Sequence, residues 1–203
     1  MLSALSSGVG SYSSRHALGA ILFWVTLAVW VGGELWQGQT RRSEATDQDG
    51  GSRQLLRITL FVGWILAFQA VRAWPGANFH HGRNAAFWAG LAVMWGGVAL
   101  RFWAFRTLGR YFTFNVMTSA DQNVVTAGPY RVIRHPGYAG AMLAMAGLGL
   151  TIGNWVSLAA IVLVPLIGMV NRIRVEEAAL LGTLGPSYQA FSEGRKRLVP
   201  LVW

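Results

Sequence analysis

Five apolar segments dominate this sequence, and the first three have about the 20 residues that a helix needs to cross a bilayer. The segments are approximately Leu18–Trp36, Leu55–Trp74, Ala85–Phe105, Tyr138–Ile152 and Trp155–Val170. Lipid accepts such stretches because a helix satisfies its own backbone hydrogen bonds, which the bilayer core cannot do. The sequence therefore predicts an all-α integral membrane protein with about five transmembrane helices.

The last two apolar segments are the shorter ones, and only Gly153-Asn154 separates them. Such a turn predicts a tight helical hairpin. The tail that follows places apolar residues on one side and charges on the other, which predicts a C-terminal amphipathic helix ending at Gly185-Pro186. We divide the chain into residues 1–105, with three helices and a polar loop at 37–54, and residues 106–203, with the hairpin and the tail.

The composition supports lipid as the main solvent of this chain. Charged residues make up 12% of the sequence, against about 25% in soluble domains. The net charge of +9 does not indicate a nucleic acid partner, because the basic residues adjoin apolar segments; anionic membrane lipids are the expected counter-charge. The absence of cysteine excludes disulfides, thiolate zinc sites and a cysteine nucleophile.

The distribution of arginine and lysine predicts the orientation. With the C-terminus in the cytoplasm, thirteen basic residues lie in the cytoplasmic loops and tail and three lie outside. The cytoplasmic set comprises Arg41, Arg42, Arg53, Arg57, Arg106, Arg110, Arg131, Arg134, Arg172, Arg174, Arg195, Lys196 and Arg197, and the outer set Arg15, Arg72 and Arg83. We expect a multi-pass protein of a bacterial inner membrane.

Two polar clusters fall on this cytoplasmic side. The first, residues 128–138, contains Arg134-His135-Pro136 just before the fourth apolar segment. Pro136 suits the first turn of a helix and keeps His135 extended, so His135 would lie at a helix start that favours anions. The second cluster, residues 172–177, contains Glu176 and Glu177. The alternative interpretation makes these residues headgroup anchors and surface ion pairs.

Three other polar positions have simpler interpretations. Asn115 is either a pocket residue or a turn residue. His80-His81 lies in a loop on the far side, where we expect solvated side chains, and no metal motif is present. Arg101, inside the third segment, is expected to extend toward the membrane interface. The glycine-rich fingerprint of soluble dinucleotide-binding domains is absent.

The second half of the chain resembles the isoprenylcysteine carboxyl methyltransferases and the wider group of phospholipid methyltransferase-like membrane proteins. The resemblance rests on the order and spacing of several motifs between Arg106 and Pro200. These motifs are Gly128-Pro129-Tyr130, Arg134-His135-Pro136-x-Tyr138-x-Gly140, the hairpin, Arg172-x4-Glu177-x2-Leu180 and Gly185-x2-Tyr188-x2-Phe191. Residues 106–203 would then be a methyltransferase core with a cofactor-binding loop.

The resemblance implies methyl transfer from S-adenosylmethionine, with S-adenosylhomocysteine as product, to a lipophilic acceptor at the cytoplasmic membrane face. The most probable acceptor group in such a family is the carboxylate of a prenylcysteine. The resemblance assigns catalytic roles to Arg172, Glu177 and Asn115. It assigns cofactor binding to Val124, Val125, Gly128, Tyr130, His135, Pro136, Tyr138 and Glu176. A lipid tail is expected to enter sideways between the third segment and the hairpin.

Several alternatives stay open from the sequence. The acceptor atom can be oxygen, nitrogen or sulfur on a lipid or a small lipophile. A non-enzymatic membrane protein that binds anionic lipid, or a membrane reductase that uses a nicotinamide cofactor, would also place polar clusters at the cytoplasmic ends of its helices. The sequence does not determine the oligomeric state.

Overall fold

The computed structural model describes residues 17–40, 50–109, 124–200 and 203. These residues form six α-helices: α1 (Ala17–Thr40), α2 (Ser52–Ala73), α3 (Arg83–Leu108), α4 (Pro136–Ile152), α5 (Trp155–Leu184) and α6 (Pro186–Glu193). Single turns of 3-10 helix lie at Pro75–Ala77 and Gly128–Arg131. The predicted all-α architecture is confirmed for the described part of the chain, which contains no β-strand.

Three helices, α2, α3 and α5, are long and apolar enough to cross a membrane. The apolar part of α1, Leu18–Glu34, and the 17 residues of α4 are shorter. Large apolar side chains such as Ile21, Phe61 and Ile167 are exposed on the outside of the bundle, where lipid would solvate them. The chain is an integral membrane protein; the crossing of α1 and α4 stays a prediction.

The structure differs from the predicted hairpin and tail in one respect. The fifth apolar segment and the amphipathic tail form one continuous helix, α5, of 30 residues. No proline interrupts the chain between Val170 and Gly185, and Gly185 ends the helix with a φ of 51°. A helix of this length spans about 45 Å, whereas the hydrocarbon core is about 30 Å thick. The last turns of α5 therefore extend beyond the apolar layer.

Helices α3 and α4 pack antiparallel with their backbones in close contact. Gly90 and Gly97 of α3 lie against Gly147 and Gly140 of α4, and a methyl group at any of these positions would collide with backbone atoms of the other helix. Small residues at such interfaces are typical of membrane helices, because close packing replaces the hydrophobic effect there. This contact closes the expected passage for a lipid tail between the third segment and the hairpin, so that prediction is wrong.

Helices α2 and α5 form a second antiparallel pair. Gly63 of α2 lies against Pro165 of α5, and Gly168 of α5 lies against Leu56 and Thr59 of α2. One core then joins the two helix pairs to α1. Its fully buried members come from both halves of the chain: Phe23, Ala67, Phe87, Met94, Val98, Ala144, Leu148, Ile152 and Ile161.

We expect Gly97→Ala to destabilise the bundle by about 1–3 kcal/mol, because the added methyl group must push apart two packed backbones. Gly96→Ala is the matched control, since its added methyl group would meet no atom within 4 Å. That control should be neutral or slightly stabilising, because alanine favours helix by about 0.5–1 kcal/mol over glycine. Thermal unfolding in one detergent compares the two variants, and equal midpoints would contradict the described α3–α4 contact.

Candidate active site

The two polar clusters of the sequence meet at one end of the bundle, which we call the site end. The last turns of α3, the first turn of α4 and residues 172–184 of α5 lie there. The opposite end is closed by the α4–α5 turn, where Asn154 donates hydrogen bonds to the Trp74 carbonyl at 3.1 Å and to Asn78 Oδ1 at 2.8 Å. The two clusters therefore lie at the same end, as the predicted topology requires.

The segment before α4 owes its shape to glycine and proline. Gly128 has a φ of 55°, and a Cβ there would lie 2.7 Å from Thr107 Oγ1. Pro129 then starts a 3-10 turn that buries Tyr130. His135 is held extended by the following Pro136, with φ −125° and ψ 60°, and is the residue before the first turn of α4. The imidazole is buried at the start of the helix, with 5% of the residue exposed.

The carboxylate of Glu177 is the centre of the site-end contacts. Its Oε1 lies 2.9 Å from Arg134 Nη1 and 3.2 Å from His135 Nε2. Its Oε2 accepts from Arg197 Nε and Nη2, each at 2.8 Å. Both carboxylate oxygens are therefore engaged, and Glu177 joins α5 to the start of α4 and to the tail.

The tail lies along the segment before α4. Arg134 N–H donates to the Lys196 carbonyl at 2.8 Å, and His135 N–H donates to the Arg197 carbonyl at 3.0 Å. The Arg197 guanidinium also lies over the ring of Trp203, 5.3 Å from its centroid. Arg197 thus has its backbone on one side of the cluster and its charge on Glu177, which fixes the tail against the bundle.

Glu176, the neighbour of Glu177, has a different environment. Its Oε2 accepts a hydrogen bond from the Tyr138 hydroxyl at 2.8 Å, and its Oε1 lies 3.9 Å from His135 Nδ1. About 31% of its side chain is exposed, against 8% for Glu177. Glu176 is therefore the more accessible of the two carboxylates beside the buried histidine.

An aromatic cluster lies next to these carboxylates. Tyr130, Tyr188 and Phe191 are buried together with Ala104, and Val124 and Val125 pack against them. Burial, with the nearby Glu176 as a second cause, raises the pKa of Tyr130 well above its ordinary value. Burial and then Glu177 do the same for the pKa of Tyr188. Both hydroxyls stay protonated at physiological pH and act as hydrogen-bond donors.

Two buried polar atoms at the site end have no hydrogen-bond partner among the residues described: Tyr188 Oη and Arg134 Nε. Such a group costs about 1–3 kcal/mol of stability when buried from water. Each can donate to an acceptor atom of a bound molecule. Sequence reasoning assigned no role to Arg134, Tyr188 or Arg197. Arg134 and Tyr188 stand inside the quoted motifs, whereas no pattern indicated the partner of Arg197.

The proposed catalytic residues do not form one cluster. Arg172 is buried in α5 and donates through Nη1 to Ser52 Oγ of α2 at 2.9 Å, so its guanidinium and the Glu177 carboxylate contact different elements. This separation agrees with five residues on one helix, about 140° around its axis. Asn115 lies outside the described residues.

The expectation that Arg101 extends toward the membrane interface is wrong. Arg101 points into the bundle, where it pairs with Glu34 of α1 and donates to the Gly137 carbonyl at 2.7 Å. A buried carboxylate on a neighbouring helix makes this inward position favourable. His80 and His81 are exposed at the opposite end, as expected.

Comparison with known proteins relates this arrangement to a family. The family model of the isoprenylcysteine carboxyl methyltransferases (ICMT) matches residues 89–182, from α3 into α5. Protein-S-isoprenylcysteine O-methyltransferase A of Arabidopsis thaliana is 32% identical over 151 residues, which cover 73% of this chain and 72% of that protein. The chain belongs to the isoprenylcysteine carboxyl methyltransferase family. The resemblance predicted from the motifs is thereby confirmed.

Other relatives share a smaller part of their length with this chain. Protein-S-isoprenylcysteine O-methyltransferase of Schizosaccharomyces pombe is 30% identical over 112 residues, which are 48% of each chain. The solved structure of the eukaryotic intramembrane Ras methyltransferase ICMT superposes with a TM-score of 0.58 and 28% identity, covering 72% of this chain and 52% of that one. The chain spans about half the length of these two relatives.

We expect Glu177→Gln to lower the free energy of unfolding by about 3 kcal/mol, because the cations around a buried carboxylate lose their counter-charge. Glu193→Gln on α6 is the matched control, since Glu193 is exposed and its contact with Gln189 is a solvated one at 3.4 Å. The control should change stability by less than about 0.5 kcal/mol. Denaturation in one detergent measures both, and similar losses would contradict the central role of Glu177.

Proposed function

We propose that this chain transfers the methyl group of S-adenosylmethionine to the carboxylate of a prenylcysteine-like acceptor at the cytoplasmic membrane face. The observation that carries the proposal is the meeting of the His135-Pro136 start of α4 with Glu176 and Glu177 of α5, beside a buried aromatic cluster. The family membership supports the same reaction, since two relatives are named protein-S-isoprenylcysteine O-methyltransferases.

The residues present fit the cofactor. Buried donors without partners at Tyr188 and Arg134 offer hydrogen bonds to acceptor atoms of a bound molecule. The rings of Tyr130 and Tyr138 and the accessible carboxylate of Glu176 suit a cation, because aromatic faces and carboxylates attract positive charge. When bound, the cofactor supplies a methyl group activated by a sulfonium. We assign its binding to the side facing this set, with Val124, Val125, Gly128, His135 and Pro136 completing the wall.

The acceptor needs orientation more than activation. A carboxylate is already ionised at neutral pH, so its methylation requires no general base. We propose that Arg172 binds the acceptor carboxylate, because a guanidinium grips a carboxylate with two parallel hydrogen bonds. Arg172 precedes Glu176 by one helical turn, about 6 Å, on the membrane side of the cofactor residues. Alignment of the two reacting groups then supplies most of the rate enhancement.

The contacts of Glu177 favour a positioning role over a catalytic one. Both of its oxygens bind cationic side chains of this chain, and only 8% of its side chain is exposed. We propose that Glu177 holds Arg134, His135 and Arg197 in place around the cofactor. Asn115 keeps the role near the reacting centre that the family resemblance implies.

The membrane arrangement follows from the same proposal. We infer five crossing helices in a bacterial inner membrane, with α1 and α4 as the shorter ones and the C-terminus in the cytoplasm. The charge distribution of the sequence supports this orientation, since thirteen of the basic residues then face the cytoplasm. The part of α5 that carries Glu176 and Glu177 lies beyond the apolar layer, where a water-soluble cofactor can reach it.

Isothermal titration with S-adenosylhomocysteine tests the proposal directly. We expect saturable micromolar binding by the detergent-purified protein, and a loss of at least about tenfold in affinity, 1.4 kcal/mol, for His135→Ala and for Glu176→Ala. His80→Ala and Glu193→Ala are matched controls, because both residues are exposed and distant from the aromatic cluster. No binding in several detergents and in lipid nanodiscs would overturn the proposal and favour a lipid-binding or a reductase function.

Arg172→Ala should separate acceptor from cofactor. We expect turnover to fall on the order of 10²-fold, because a misplaced acceptor loses alignment, while affinity for S-adenosylhomocysteine changes less than about threefold. Arg174→Ala is the control, since Arg174 is exposed on the same helix. Single-turnover assays with a prenylcysteine give the rates. A matching loss of cofactor affinity in Arg172→Ala would contradict the assignment to the acceptor.

Tyr188→Phe gives opposite expectations for stability and binding. Removal of a buried hydroxyl without a partner should stabilise the ligand-free protein by about 1 kcal/mol. The same change should weaken binding of S-adenosylhomocysteine about tenfold if that hydroxyl donates to the ligand. Thermal unfolding with and without S-adenosylhomocysteine measures both effects. An unchanged affinity would exclude Tyr188 as a cofactor contact.

A further inference from the structure

Arg101 connects three helices at the site end. From α3 its Nη2 donates to Glu34 Oε2 of α1 at 2.8 Å, and its Nε pairs with Glu34 Oε1. Its Nη1 donates to the carbonyl of Gly137 in the first turn of α4 at 2.7 Å. The guanidinium also lies over the ring of Phe105, 4.6 Å from the centroid. One side chain therefore contacts α1, α3 and α4 together.

The first turn of α4 is built to receive this side chain. A Cβ at Gly140 would lie 2.7 Å from the backbone nitrogen of Arg101 and 3.0 Å from its Cβ. A Cβ at Gly137 would lie 3.4 Å from the Phe105 ring and 3.9 Å from Arg101 Nη1. The two glycines let α3 and α4 approach closely enough for the guanidinium to reach a backbone carbonyl.

The Gly137 carbonyl lies between the residues that contact the glutamates. His135, two residues before, contacts Glu177, and Tyr138, the next residue, donates to Glu176. A shift of the first turn of α4 would move both side chains at once. A bidentate carboxylate partner fixes the plane of a guanidinium, so Glu34 determines where Nη1 points.

We propose that Glu34 and Arg101 form a positioning pair that fixes the first turn of α4 and thereby sets His135 and Tyr138 for cofactor binding. The proposal rests on the proposed function, because it concerns the same cofactor site. Neither residue touches the reacting groups in this account. Their effect passes through the Gly137 carbonyl.

Two variants test the pair: Arg101→Met, which keeps the length of the side chain, and Glu34→Gln, which keeps an acceptor without the charge. We expect Arg101→Met to raise the Kd for S-adenosylhomocysteine and the KM for S-adenosylmethionine about tenfold, with a smaller rise for Glu34→Gln. The KM for the prenylcysteine acceptor should stay within about twofold. Arg106→Met is the matched control, since Arg106 is exposed on α3.

The double variant and a conservative variant sharpen the test. If the two residues act as one unit, Glu34→Gln combined with Arg101→Met should be no worse than Arg101→Met alone. Arg101→Lys keeps the charge but not the planar fork, so it should restore binding only in part. It also keeps the test readable should Arg101→Met fail to fold.

The outcomes separate this inference from the proposed function. Absence of S-adenosylhomocysteine binding by the unaltered protein would overturn the proposed function itself. Binding by the unaltered protein, together with unchanged Kd and KM in Arg101→Met, would overturn only the positioning pair. A merely structural pair would lower the unfolding temperature and the active fraction but leave the KM of the folded enzyme unchanged, and that result too would refute the inference.

Discussion

The contacts of the Glu177 carboxylate hold the site end together. They join the segment before α4, the end of α5 and the tail, which are far apart in the sequence. A buried carboxylate is costly to desolvate, and only the combined pairing with Arg134, His135 and Arg197 offsets that cost. The position of the histidine and the course of the tail therefore depend on one ionised group.

Close helix packing provides the frame on which that carboxylate acts. The glycines shared by α3 and α4 bring the two backbones together, and the same close approach lets Arg101 reach the Gly137 carbonyl. Helix α5 is longer than the apolar layer, so it carries Glu176 and Glu177 past the last apolar turns of the bundle. Charged groups are thus concentrated where a polar cofactor and a membrane-bound acceptor can both approach.

The two adjacent glutamates show how one helix serves two purposes. Neighbouring residues on a helix point about 100° apart, so Glu177 faces the cationic side chains while Glu176 faces Tyr138 and the accessible side of the site. The sequence predicted roles for both, yet it had placed Glu177 among the catalytic residues. The observed contacts instead favour Glu176 as the carboxylate available to a ligand and Glu177 as its support.

The sequence by itself determined the helical class, the membrane environment and the family, because apolar length and the spacing of Pro136, Tyr138 and Glu177 are local properties of the chain. It also predicted that both polar clusters share one end, since charge distribution fixes topology. Only the tertiary structure decided the partners of Arg101 and Arg197, because ion pairs between distant helices depend on packing that no local pattern encodes. The same reason explains the closed path between α3 and α4: four glycines are visible in the sequence, but their mutual contact exists only once the two helices pack.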